Sequence, residues 1–455
     1  MERLTLRLAG IFLFGTGLAL WTDQLVESYT PAATTLPKPG ASWERLHQPS
    51  GTLIAPAAHL DSEGRLKFYT GLSFFKAPWI KSPASTTARD GLGPLFNANS
   101  CISCHKNGGR SRSLITDPET STAVVRISIP VDGESVAPHP VYGNQIQTKS
   151  TYGTMAGEGL VAVSVTETHQ VLHDRRYTLR KPSLEFSPIS GRAEGYLTSL
   201  RVAPSLIGMG LLEAIPSARL ESLEQAQKQT GQVSGRIHWV ESADGKKVPG
   251  RFGWKALQPD VAAQTGSAFR DDLGITNPYF PDPPCTAQQS QCLQQAHGND
   301  EDEGVEITQF LFDYAVHFTA NIPPPAAGKL TPKVAQGREL FERIGCAACH
   351  VPSHQTEFGE IWPYSDLLLH DMGEGLADHR PEGDATGREW RTPPLWGLGT
   401  QKKVSGHTEL LHDGRARNSV EAVLWHGGEA AAARDNFTSL SDEEIASVRA
   451  FLSAI

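Results

Sequence analysis

Cys101-Ile102-Ser103-Cys104-His105 and Cys346-Ala347-Ala348-Cys349-His350 are two copies of one pentad in a single chain. Each sets two thiols about one helical turn apart, the spacing that thioether bonds to the two vinyl groups of a haem require. The histidine that follows directly supplies the proximal iron ligand. A four-thiolate zinc site needs no histidine after each cysteine pair, and a redox dithiol belongs at a strand-to-helix junction. Neither rival accounts for the histidine twice. The pentads imply two covalently bound c-type haems, with Cys101, Cys104, Cys346 and Cys349 as attachment points and His105 and His350 on iron.

The rest of the chain agrees with a protein exported before haem is attached. Of six cysteines, only Cys285 and Cys292 lie outside the pentads. They either pair in an oxidising compartment or remain two loop thiols. Arg3 and Arg7 precede an apolar run from Leu8 to Trp21, the n-region and h-region order of a secretory signal. The run is short for a bilayer span and no small-x-small cleavage site follows, so a cleaved signal and a retained membrane anchor both stay open. A periplasmic location is expected. The net charge of −9, with no basic stripe to offset it, argues against nucleic acid as a partner.

With 455 residues the chain has room for two or three cores. Residues 1–25 read as signal peptide or anchor, and 26–60, rich in proline, glycine and threonine, as a linker. Residues 61–325 read as an N-terminal haem domain and 326–455 as a C-terminal cytochrome c-like haem domain. Short β-type runs at Val124–Ile129 and Leu160–Val165 mark a mixed α/β, loop-rich insertion between the pentads. Helical periodicity covers Leu220 to Gln229. Thr331-Pro332 reads as an N-cap with proline at the first helical position, and Ser441-x-x-Glu444 as a capping box whose helix carries Ile445, Val448, Phe451 and Leu452 on one face. The expected fold class is mainly α, two cytochrome c-like domains with that insertion.

Longer stretches carry a resemblance. Asp90–Phe96, Arg201-Val202-Ala203-Pro204, Gly210–Pro216, Gly250–Ala256, Asp366–Gly373, Glu389–Gly397 and Leu411–Ala416 resemble the di-haem oxidoreductase, putative peroxidase family, distant kin of bacterial di-haem cytochrome c peroxidases and of rubber oxygenase. The resemblance implies a second axial ligand for the C-terminal haem on the helix after Thr392-Pro393-Pro394-Leu395 and His412-Asp413-Gly414. That stretch is Ser419–His426, and His426 stands where those peroxidases have methionine. It therefore implies His350/His426 ligation, an ordinary buried histidine being the other reading. Two imidazoles would make that haem low-spin and low-potential. His370 ranks second for the ligand, and Met372 follows His350 too closely. Trp425, beside His426, is a second candidate for relaying electrons between the haems, a core aromatic being the plain alternative.

After the first pentad nothing declares itself as a second ligand opposite His105. His139, His169 and His173 fit no pattern, which leaves an open iron for hydrogen peroxide or dioxygen. Glu213, a carboxylate in the apolar setting Gly210–Ala214, is the candidate general acid-base, and Arg201 the candidate for steadying developing charge. A helix-end carboxylate and an ordinary ion pair are the plain alternatives. Trp254 is a candidate cofactor contact and electron relay between the haems, against the commoner role of a core aromatic. The expected function is a periplasmic di-haem peroxidase-like enzyme fed by a small electron-donor protein, cytochrome or cupredoxin, or acting on a protein substrate. The alternatives are oxygenation of an organic substrate and a non-catalytic electron-transfer cytochrome linked to metal uptake.

Overall fold

The computed structural model describes residues 35–45, 50–116, 121–132, 135–153, 157–189 and 194–455. The signal or anchor segment 1–25 lies outside them. No helix among the described residues is long and apolar enough to cross a membrane.

The helical expectations of the last third are met at the level of individual hydrogen bonds. Thr331 caps the helix Pro332–Arg343 by accepting from the Val334 amide, with Pro332 at its first position. Ser441 and Glu444 close a complete capping box on the helix Asp442–Leu452, whose Ile445, Val448, Phe451 and Leu452 are buried. The two helices cross at Gly337, where a β-carbon would lie 2.0 Å from the Ser447 carbonyl oxygen. Only a residue without a side chain allows backbones to approach so closely. Phe341, Tyr364 and Phe451 fill the space beside that crossing with edge-on contacts at 5.3–6.1 Å.

The mainly α expectation gives way to a mixed α/β chain with long loops. The reason is that strand structure after the first pentad runs well past its apolar kernel into stretches of exposed polar residues that carry no strand signature. Strands Gly159–Leu172 and Arg175–Pro188 form a fourteen-pair antiparallel ribbon. Val124–Pro130 pairs with Val136–Ala137, Gln145–Ile146 and Leu197–Arg201 in a separate four-stranded sheet. Short antiparallel pairs, His354–Thr356 with Gly359–Ile361 and Leu369–Asp371 with Glu389–Arg391, shape the loops after the second pentad.

Two large apolar clusters seat the pentads. One gathers Trp43, Phe68, Leu211, Leu220 and Phe318 with Leu367, Leu368, Trp396 and Val404 from the last third, and Cys101 and Ile102 pack on it. The other gathers Val334, Leu340, Phe341, Val420, Leu424 and Phe451 with Leu172 and Leu179 at the ribbon's tip, and Cys346 and Ala347 pack on it. At that tip His173 donates from Nε2 to the Leu440 carbonyl at 2.7 Å. Cys285 and Cys292 form a disulfide.

Candidate functional site

Cys101–Cys104 form a single helical turn, and the His105 amide donates back to the Cys101 carbonyl at 2.9 Å. The His105 ring is held from behind: Nδ1 donates to the Pro204 carbonyl at 2.8 Å. A carbonyl only accepts, so this bond fixes the tautomer and leaves the Nε2 lone pair free, the usual preparation of a metal-binding imidazole. Burial lowers the pKa of His105 to about 4 and raises those of Cys101 and Cys104 to about 12. All three residues line a cavity of about 290 Å³ in which His105 is the one histidine among the described residues. Met209 is on the same lining.

The second pentad repeats the arrangement. The His350 amide donates to the Cys346 carbonyl at 3.0 Å, and ring Nδ1 donates to the Tyr364 carbonyl at 2.9 Å. Burial lowers its pKa to about 4. Cys346, Cys349 and His350 line a cavity of about 230 Å³, and His426 and Met372 line it too. His426 ends the helix Ser419–Trp425, which Asn418 caps by accepting from the Glu421 amide. Its Nδ1 donates to the Ala422 carbonyl at 2.6 Å, so it also keeps a free Nε2. His426 is near enough that its charge lowers the affinity of His350 for a proton.

His370 is excluded as a ligand, because both of its nitrogens are in use. Nε2 donates to Asp366 and Nδ1 to Glu429, each at 2.9 Å, and the two carboxylates raise its pKa well above the usual histidine value. As an imidazolium it has no lone pair for iron. It stands 3.6 Å from the Cys349 sulfur and braces the pentad.

The two cavities share a wall. Trp254, Arg110, Arg391 and the run Pro393-Pro394-Leu395 line both. Trp254 donates from Nε1 to the Val202 carbonyl at 2.8 Å, its own carbonyl accepts from the Arg391 amide at 2.9 Å, and the Arg110 guanidinium lies 5.3 Å from its ring centre. On the second-cavity side, His412 meets Trp254 edge-on at 6.4 Å and stacks on Trp390 at 3.7 Å. Trp425 lines neither cavity; its ring carries the Arg415 guanidinium at 4.8 Å.

The family model described as di-haem oxidoreductase, putative peroxidase, matches residues 193–455, more than half of the chain. The chain belongs to that family. The match takes in the second pentad, His426 and Trp254 and begins after the first pentad. No curated protein and no solved structure matches.

In this di-haem oxidoreductase Arg201 does reach the first cavity, but as a neutralised group. Its guanidinium pairs with Asp378 at 2.9 Å and Glu382 at 3.5 Å and lies over the Trp390 ring at 4.6 Å. Glu213 lines neither cavity. Its carboxylate accepts from the Val261 amide at 2.9 Å, at the start of the helix Val261–Leu273. The helix Met209–Glu213 turns Met209 and Leu212 to the cavity, and the next residue points elsewhere because each step rotates the chain by about 100°.

Two carboxyls line the first cavity, Asp272 and Glu382; Glu382 is held ionised by Arg201 and Arg380, which leaves Asp272 as the one able to carry a proton near neutrality. Asp272 accepts from Gln145 Nε2 at 2.9 Å, burial raises its pKa to about 6, and its charge bears on both Cys101 and Cys104. A signal was present: Asp271-Asp272 end a helix, where the dipole disfavours carboxylates. Asp271 is compensated by Arg126 at 2.9 Å.

Proposed function

We propose that this chain is an exported, periplasmic c-type oxidoreductase that reduces hydrogen peroxide at the His105 cavity with electrons passed from the His350/His426 cavity. One contrast carries the reading: three imidazoles are tied down through Nδ1 with Nε2 free, one in the first cavity and two in the second. Such a set would offer one imidazole to a haem in the first cavity and two to a haem in the second, leaving the first with room for a further ligand. The residues fit the cofactor that family membership implies: buried thiols for its vinyl edge, neutral imidazoles for iron, and cavities otherwise largely apolar.

When bound, haem supplies reversible one-electron chemistry and, where a coordination side is open, a site for peroxide. The chain supplies the rest. Pro204 and Tyr364 hold the proximal rings in one tautomer. Asp272 takes up and returns protons at its carboxyl, the part first expected of Glu213. Overall, one peroxide, two electrons and two protons give two waters. Trp254, in the common wall, shortens the path between cavities. A small cytochrome, a cupredoxin or a protein substrate supplies electrons. The Cys285–Cys292 disulfide and the N-terminal apolar run support export.

Intact-mass measurement on exported protein should find two added haems, and peroxide titration followed by electron paramagnetic resonance should change the His105 haem first. One haem or none, or a first change at the other centre, overturns the assignment. Met209 on the first cavity's lining favours a second reading, a six-coordinate electron carrier. In that case the ferric protein lacks a high-spin signal, and Met209→Ala creates one.

A further inference from the structure

Buried cations around the two cavities are mostly paired within the chain. Arg201 and Lys255 share Asp378, and Arg415 has Asp413 at 2.7 Å. Arg110 and Arg391, the two cations of the shared wall, are not. Arg391, 6% exposed, donates only to carbonyls, from Nε to Gly253 at 2.9 Å and from Nη1 to Thr392 at 3.1 Å. Arg110, partly buried, donates from Nη2 to the Leu411 carbonyl at 2.8 Å and lies over the Trp254 ring at 5.3 Å, while its buried Nε has no hydrogen-bond partner. Among the described residues no carboxylate lies within ion-pair distance of either; Glu409 and Asp366 act on them only from further away.

A guanidinium out of water and without a counter-ion is costly, and a carbonyl does not neutralise it. Each guanidinium also has more N–H groups than its carbonyl partners use, in a fork that suits a carboxylate. The anion that completes this wall must come from the cavities, since both arginines line both. On the reading above, each cavity holds a macrocycle with two carboxylate arms.

We propose that Arg110 and Arg391 form a carboxylate-binding wall that takes haem propionates from both cavities and ties the two centres together electrostatically. This rests on the haem assignment and goes beyond it: it fixes which edge of each macrocycle faces the partition. Removing one of these charges then favours the oxidised, more positive state at both centres together.

The test uses the full chain with both haems, their presence first verified by intact mass; a missing haem refutes the proposed function itself rather than the wall. In Arg110→Gln and Arg391→Gln, redox titration should show the midpoint potentials of both haems falling. The propionate bending bands in resonance Raman should shift while the spin-state bands hold. A fall at one haem alone, no fall, or unmoved propionate bands overturns the proposal. Should the glutamine variants not fold, Arg110→Lys and Arg391→Lys keep the charge and lose the fork. Potentials near wild type with shifted propionate bands support the wall, and unmoved bands overturn it.

Discussion

Asp378 is the point at which the first cavity's charge balance is most exposed to test. Its carboxylate accepts from Arg201 Nη2 at 2.9 Å and from Lys255 Nζ at 3.1 Å, and all three side chains are at most 6% exposed. At about 3 Å and an effective dielectric near 20, each attraction is roughly 5 kcal/mol before desolvation is subtracted. Removing one partner from such a buried set typically costs ~3–5 kcal/mol, because the remaining charge stays buried without compensation. Asp378→Asn should fall in that range. Lys255→Met removes one of two cations competing for the same carboxylate and should cost less. The double variant should be destabilised by less than the sum of the singles, by at least about 1.5 kcal/mol, since the second change removes the charge that the first left unpaired. Equilibrium unfolding in guanidinium chloride, followed by far-ultraviolet circular dichroism on all four proteins, gives the cycle. Additivity within about 0.5 kcal/mol, or a cost below about 1 kcal/mol for Asp378→Asn, as for an exposed pair, would refute the reasoning.

Three further outcomes are expected. His426→Ala should convert the second haem's ferric spectrum to high spin while Met372→Ala leaves it low-spin; the reverse pattern would give the ligand to Met372. Trp254→Phe should slow electron exchange between the haems after flash reduction with both haem spectra intact, and an unchanged rate removes Trp254 from the path. Glu158, buried and accepting from the Gln147 amide at 2.6 Å, has its pKa raised to about 8 by burial. The folded state therefore holds this proton more tightly than the unfolded one. Its stabilising share is complete below about pH 4.5 and disappears as pH rises toward 8, on the order of 5 kcal/mol in all. Glu158→Gln should flatten the fall in unfolding free energy over that window, and an unaltered slope would show that the carboxyl titrates normally.

What the sequence made legible is what short-range chemistry dictates. A capping box needs four residues, a proline at a helix start needs two, and a Cys-x-x-Cys-His pentad needs five, so Ser441–Glu444, Thr331-Pro332 and both pentads declare themselves locally. His426 came from a resemblance and Trp254 from the need for an aromatic between two centres, neither from a local rule; His426 lines the second cavity and Trp254 lines both. Glu213 misled because apolar neighbours in sequence say nothing about which way one residue of a helix faces. Asp272, Arg110 and Arg391 were illegible for a related reason: each matters through a cavity assembled from segments hundreds of residues apart. Arg110 and Arg391, for instance, are 281 positions apart yet line the same partition. The length of the ribbon was missed because exposed polar residues alternate along it as readily as along a loop.

That ribbon bears on how the molecule assembles. Its tip, carrying Leu172, His173 and Leu179, completes a cluster whose other members all lie after residue 333, apart from Leu36. A hydrophobic plug made early in synthesis must wait for the last hundred residues to emerge before it has anything to fill. Packing around the second pentad is therefore completed only when this arm docks, and a protease cut in the loops between the pentads should leave two fragments still clasped together.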